Sequence, residues 1–185
     1  MQNFQLGLRC DAAEFCVQHV VLNSQLGAVG CTIQLNDSCS RVEMQIDAGR
    51  LDQVTPALLA SGVRIVIDHF GRFDPALGMG DPGFAHLISL GQTRRVWVKG
   101  SAAYRVSAKP GDAEATSATA ASAWAVLLPA FGVDRLLWGT DWPHTQFEQV
   151  CDPRRAINEL HRLVIDASHR QAVLIDTPAE LFHFR

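Results

Sequence analysis

Two short stretches carry the residue types from which acid–base chemistry is built. In Asp68-His69-Phe70-Gly71-Arg72 an acid, an imidazole and a guanidinium stand almost side by side, and Asp141-Trp142-Pro143-His144 again sets an acid near a histidine. A third group, Lys99, Ser101, Tyr104 and Arg105, lies between them. A carboxylate within hydrogen-bond reach of a water can take its proton. A guanidinium holds a carboxylate through two parallel N–H bonds, a geometry that lysine cannot reproduce. A lone histidine before a glycine is more often a packed turn residue than a ligand. The recurrence of the acid-and-histidine plan at a second place argues for a site.

Each of these groups follows an apolar run. Val63, Ile65, Val66 and Ile67 lie between Gly62 and Gly71, which suits a parallel strand covered on both faces. Residues 95–101 and 135–138 read as two more strands. Asp68 and His69, Lys99, and Asp141 then sit at or just past strand C-terminal ends, where α/β sheets and barrels place their sites.

The intervening elements follow from punctuation and period. Residues 29–35 and 42–47 alternate as strands. Leu51, Val54 and Leu58 predict a short helix ending at Gly62, so that strand, helix and strand form a right-handed βαβ unit. Residues 73–83 are rich in Gly and Pro and predict a loop. Asp81-Pro82 and Asp152-Pro153 are cap-plus-proline helix starts, the second with an apolar stripe of Ala156, Leu160, Leu163 and Val164. Residues 108–117 read as a polar connection, residues 118–131 as an Ala-rich helix, and residues 168–175 as a further helix. Thr177 to Glu180 has the spacing of a capping box for a last helical turn.

The 185 residues, 48% hydrophobic and 19% charged, are expected to form one domain with a substantial core. A formal charge of -3 and arginines scattered along the sequence argue against nucleic acid as a partner. No apolar run reaches membrane-spanning length and residues 1–11 carry no leader pattern, so no membrane association and a cytoplasmic location are expected. Five widely spaced cysteines match neither a disulfide framework nor paired zinc knuckles, and free thiols are expected. The four tryptophans are expected to serve packing rather than ligand stacking, and His86, His161, His169 and His183 to lie on helices away from the strand ends.

The motifs Asp68-His-x-Gly-Arg72 and Trp138-Gly-Thr-Asp-Trp-Pro-His144, with Val96-Trp-Val-Lys-x-Ser-x-x-Tyr-Arg105 between them, resemble the amidohydrolase-related proteins, and among them the 2-pyrone-4,6-dicarboxylate lactonase branch. The resemblance covers residues 49–185, with residues 1–48 poorly matched. It implies an α/β fold of the (β/α)8 barrel type. The chain has too few strands for a closed barrel of about 250 residues, so it is expected to be incomplete, a C-terminal portion without the first strands. The resemblance further implies that Asp141 activates the hydrolytic water and that His69 polarises a lactone carbonyl or, in metal-dependent relatives, ligates the ion. By the same resemblance Arg72 and Arg105 hold the carboxylates of a small-molecule substrate; Lys99, at a strand end, and Tyr104 and His144, in the loops beyond, are expected to contribute to binding it. Full-length members carry a His-x-His pair on the first barrel strand; this sequence has none, and His19 is its only histidine before His69. No cofactor is therefore expected, with one divalent metal such as zinc as the alternative. Three readings stay open: hydrolysis of a carboxylated lactone, a metal-dependent hydrolase or decarboxylase of the same superfamily, and an inactive fragment.

Overall fold

The structure is a computed structural model that describes the backbone of residues 16–24 and 27–35 and, with side chains, residues 41–183. One six-stranded sheet runs through it in sequence order. Strands β1 (Cys16–Ser24) and β2 (Gly27–Leu35) pair antiparallel, and β2 pairs antiparallel with β3 (Arg41–Gln45). From β3 onward the sheet is parallel: β3, α1 (Leu51–Ala60), β4 (Arg64–Ile67), α2 (Pro82–Leu90), β5 (Val96–Lys99), α3 (Ala113–Phe131) and β6 (Leu136–Leu137). The chain closes with α4 (Pro153–Leu163), α5 (Ala167–Gln171) and α6 (Thr177–Phe182), the last two joined by a π-helical turn, Ala172–Asp176. The strand expected at residues 29–35 falls in β2, and β3 covers residues 42–45 of the one expected at 42–47. The reading of residues 1–11 lies outside the described residues.

Strand alternation decides which side chains meet which layer. Ile65, Ile67, Val96, Val98 and Leu136 join the main core, which α2 supplies with Phe84 and Leu87 and α3 with Ala123, Leu127 and Phe131. The opposite positions, Val66 and Leu137, pack with Leu181 of α6, flanked by Trp97 and Phe182. The parallel strands are thus covered on both faces, as their near-continuous apolar sequence requires. Each fully buried Val, Ile, Leu or Phe side chain among them contributes about 1.5–3 kcal/mol.

Two helix starts follow the sequence reading and two do not. Asp81 Oδ1 accepts the Gly83 N–H at 2.7 Å, while its Oδ2 accepts the Asp74 N–H at 2.7 Å and ties the loop to the helix. Asp152 caps α4 by accepting the Arg155 N–H at 2.7 Å. Helix α3, however, begins at Ala113, not at residue 118. Asp112 accepts the Glu114 and Ala115 N–H groups, and the hydroxyls of Thr116 and Thr119 donate to carbonyls four residues back. Thr116, which reads as part of a connection, is therefore satisfied inside the helix. Thr177 forms no capping box, because the helical backbone runs straight through it from the π turn. Its hydroxyl donates instead to Val133 O at 3.3 Å, fastening α6 to the turn before β6. The strands expected at residues 95–101 and 135–138 are both shorter, ending at Lys99 and Leu137, with Ser101 and Trp138 beyond their ends.

Gly83 marks the tightest approach between layers. A Cβ there would lie 2.2 Å from the Ala48 carbonyl carbon and 2.4 Å from Gly49 N, both backbone atoms that cannot swing aside. Gly83→Ala should therefore destabilise the protein by about 1–3 kcal/mol in urea unfolding. Gly49→Ala, where nothing lies within 4 Å, should be close to neutral. Equal effects of the two changes would show that α2 does not pack on residues 48–49 in this way.

Candidate active site

The turns that follow β4, β5 and β6 are held in an unusual backbone conformation. His69, Phe70, Gly71 and Arg72 all have positive φ, as do Ala102 after β5 and Asp141, His144 and Gln146 after β6. Left-handed backbone costs a non-glycine residue about 1–2 kcal/mol, and such residues persist where the surroundings over-determine them, often at functional sites. Here Phe70 is wholly buried, Gly71 N donates to Asp68 O at 3.0 Å, and Ala48 N donates to Arg72 O at 3.2 Å. Gly71 is required twice over: its φ is +80°, and a Cβ would meet Leu87 Cδ2 at 2.3 Å.

These turns bring Asp141 to the centre of a cluster. Its Oδ2 accepts hydrogen bonds from the Tyr104 hydroxyl at 2.6 Å and from Arg105 Nε at 2.7 Å. Its Oδ1 lies 3.5 Å from His69 Nε2. The His69 Nδ1 is 3.0 Å from the Ser101 hydroxyl. Tyr104 also stands 3.1 Å from His144 Nδ1. Because the phenol has one hydrogen and directs it to Asp141, His144 Nδ1 must be the donor to the phenol oxygen. Facing a carboxylate, His69 is better placed with its proton on Nε2, which makes Ser101 the donor to Nδ1. Both Nε2 atoms are buried without a hydrogen-bond partner among the described residues.

The electrostatics keep these groups in defined forms. Burial lowers the His69 pKa, outweighing the charges of Asp68 and Asp141 that raise it, so the ring is neutral near pH 7. Burial, then the hydrogen bond to Asp141 and its charge, push the Tyr104 phenol far above its ordinary range. For Lys99, burial works against the charge, but Asp68 and Glu43 prevail and its pKa is raised. Its ammonium is 2.7 Å from Asp68 Oδ1 and 3.6 Å from Glu43 Oε2. The first contact is an ion pair whose angles are poor for a hydrogen bond.

The residues singled out in the sequence thus divide into three places. Asp141, His69, Tyr104, Arg105 and His144 form one connected cluster. Arg72 lies beside it, on a cleft of about 450 Å³ lined also by Asp47, Phe73, Leu77 and Arg105, so that Arg105 alone belongs to both cleft and cluster. Lys99 is engaged by two carboxylates. Arg105 is also more committed than expected, since its Nη2 donates to Thr145 O at 3.1 Å. Arg72 Nε donates to Asp47 Oδ1 at 3.0 Å.

Ser101 and Asp68 were visible as strand-end polar residues without an assigned part. Glu43 and Asp47 were not singled out; an acid inside an apolar alternation and another just past its end were the available signals. Among the tryptophans, Trp124 is in the core, whereas Trp142 is 72% exposed and does not serve packing. Of the cysteines only Cys151 has a described side chain, and it is a buried free thiol.

Among the described residues no three His, Cys, Asp or Glu are grouped to hold a metal ion. His69 and Asp141 offer two donors, short of the three that a catalytic zinc takes from protein. Nor is any helix among them long and apolar enough to cross a membrane.

Comparison with known proteins gives one consistent answer. The family model described as amidohydrolase matches residues 43–184. The chain is 34% identical over 154 residues to 4-sulfomuconolactone hydrolase of Rhizobium radiobacter, covering 79% of this chain and 48% of that one. It is 27% identical over 146 residues to the 2-pyrone-4,6-dicarboxylate hydrolase of Comamonas testosteroni, with 76% and 48% covered. A crystal structure from Pseudomonas putida, provisionally named a 2-pyrone-4,6-dicarboxylic acid hydrolase, superposes with a TM-score of 0.71 at 40% identity over 77% of this chain and 51% of that one. The chain spans about half the length of the curated relatives it matches. Its four parallel strands and their helices correspond to part of the barrel of these proteins. By sequence and by fold, this chain belongs to the amidohydrolase family.

Proposed function

We propose that the Asp141 cluster serves the water-mediated opening of a carboxylated lactone. The observation that carries this reading is the asymmetric tethering of Asp141: Tyr104 and Arg105 occupy Oδ2, leaving Oδ1 directed at His69 Nε2, 3.5 Å away. A carboxylate fixed on one oxygen presents the other for proton transfer in a defined direction. In this scheme Asp141 takes a proton from water as the water oxygen attacks the lactone carbonyl carbon. The Nε2–H of neutral His69 stabilises the charge that develops on the carbonyl oxygen. Collapse breaks the ring C–O bond, and the proton held by Asp141 passes to the departing oxygen. The curated relatives that act on a sulfomuconolactone and a pyrone dicarboxylate support an anionic lactone as the substrate class.

Arg72 and Arg105, facing one cleft, suit the substrate carboxylates. Their surroundings distinguish them: among the described residues Arg72 is engaged only by Asp47 at the surface, whereas Arg105 also orients Asp141. In a barrel whose remaining strands are supplied, for instance by the N-terminal half of a relative, Asp141→Asn should lower kcat by about 10²–10⁴-fold with KM little changed. Arg72→Lys should raise KM for dicarboxylated more than for uncharged lactones. Arg105→Lys should lower kcat as well. Near-normal turnover in the Asp141→Asn enzyme would remove the water-activation role.

The neutral state of His69 has its own consequence. Its pKa is below the ordinary 6.5 in the folded protein, so the unfolded chain binds this proton more readily. The associated stability is present above pH 6.5 and lost as pH falls through the folded-state value. In NMR titration the His69 ring should protonate below pH 6.5, and His69→Gln should flatten the acid limb of stability. A ring that titrates above that value would contradict the electrophile role.

No step is assigned to a metal, since the described donors are too few. Elemental analysis of chelator-free protein should find no stoichiometric zinc or manganese. Metal that is bound one-to-one and lost on His69→Ala would move the reading to a metal-dependent hydrolase.

A further inference from the structure

The arginines that are scattered along the sequence are gathered by the fold. Arg64 opens β4, Arg95 immediately precedes β5, and Arg135 immediately precedes β6. Ile65 pairs with Val96, and Ile65 N donates to Arg95 O at 2.9 Å, so Arg64 and Arg95 start neighbouring strands at the same level. Together with Arg94 they line a cleft of about 350 Å³, completed by Gly62, Trp97, Asp134 and Glu180. The cleft is at the N-terminal ends of the strands, away from the Asp141 cluster at their C-terminal ends; four residues of parallel strand span about 13 Å.

We propose that this cleft is a second site, binding a small oxyanion of the phosphate or carboxylate class. Four guanidinium groups face two acids across it, and only Arg94 makes an ion pair there, with Asp134 at 3.0 Å. No carboxylate lies within ion-pair distance of Arg64, Arg95 or Arg135 among the described residues. Like charges brought together without counter-charges repel, and a bound anion relieves that repulsion. Arg135 makes the case beyond a solvated basic patch. It is 95% buried, with 5% of its surface exposed. One nitrogen, Nη2, donates to the Phe131 carbonyl at the end of α3, but Nε and Nη1 have no partner among the described residues. Two buried N–H groups of one guanidinium without an acceptor among the described residues are donors that an oxyanion entering the cleft can satisfy. The other arginines are positioned by their neighbours: the Arg64 guanidinium lies 5.8 Å from the Trp97 ring centre, and the Arg95 Nη1 lies 3.4 Å from where a Cβ on Gly62 would stand.

The test is calorimetric titration of the whole chain with inorganic phosphate and, separately, succinate, at constant ionic strength. Arg105→Gln removes a principal anion contact of the other cleft, and binding here should survive it unchanged. Arg64→Gln and Arg95→Gln should each weaken binding at least about tenfold, the order expected for loss of a charge-assisted contact. Arg95 is exposed, so its replacement leaves the core intact, and circular dichroism checks both variants. Arg135→Lys should weaken binding by removing the fixed guanidinium donors while keeping the charge. Binding of phosphate alone identifies a phosphate-type ligand, and binding of succinate alone a dicarboxylate. Absence of saturable binding by either probe would overturn the proposal. So would loss of binding in Arg105→Gln, or unchanged affinity in both Arg64→Gln and Arg95→Gln.

Discussion

The carboxylate of Asp141 is the point at which the turns after β5 and β6 are joined. Tyr104 and Arg105, from the turn after β5, both donate to its Oδ2, and Arg105 reaches past it to the Thr145 carbonyl. These are charge-assisted bonds in a largely buried place, where each contributes more than a neutral bond in water. His69, from the turn after β4, approaches the other oxygen. Three strand ends thus converge on one side chain. Without that convergence, the Tyr104 hydroxyl would lose the acceptor for its one hydrogen.

Holding Asp141 there uses stability generated elsewhere. The positive-φ residues after β4, β5 and β6 are each unfavourable alone, yet they are fixed by a sheet packed on both faces. Phe70 fits the main core directly beside His69, so the side chain that anchors the turn and the side chain that does chemistry are consecutive. This is the division expected of a strand-end site: apolar residues within the strand determine its position, and the residues just beyond its last hydrogen bond are free to be polar.

The two ends of the parallel strands carry opposite electrostatic arrangements. At the C-terminal ends Asp68, Glu43 and Asp141 are met by Lys99 and Arg105 in close pairs. At the N-terminal ends, arginines begin or precede the strands with fewer acids to meet them. A parallel sheet makes such separation natural, because residues at the same position in successive strands come to the same end of the molecule. Sequence spacing of about thirty to forty residues therefore becomes lateral adjacency.

Much that is short-ranged was legible in the sequence. The apolar runs, the Asp81-Pro82 and Asp152-Pro153 helix starts, and the placing of His69, Lys99 and Asp141 at or just beyond strand ends depend on hydrogen bonds and periods spanning a few residues. The start of α3 was not legible, because serine and threonine favour connections unless, as with Thr116, their hydroxyls bond back to the helix. Nor did the sequence distinguish Arg105, which orients Asp141, from Arg72, which does not, or reveal that Lys99 is bound to Asp68 and Glu43. Tyr104 and Arg105 lie 37 and 36 residues from Asp141, and Ser101 lies 32 from His69. Those partnerships depend on the register of neighbouring strands and on the rotamers that packing leaves available. Residue identity and local spacing named the chemical groups; only the sheet decided which of them touch.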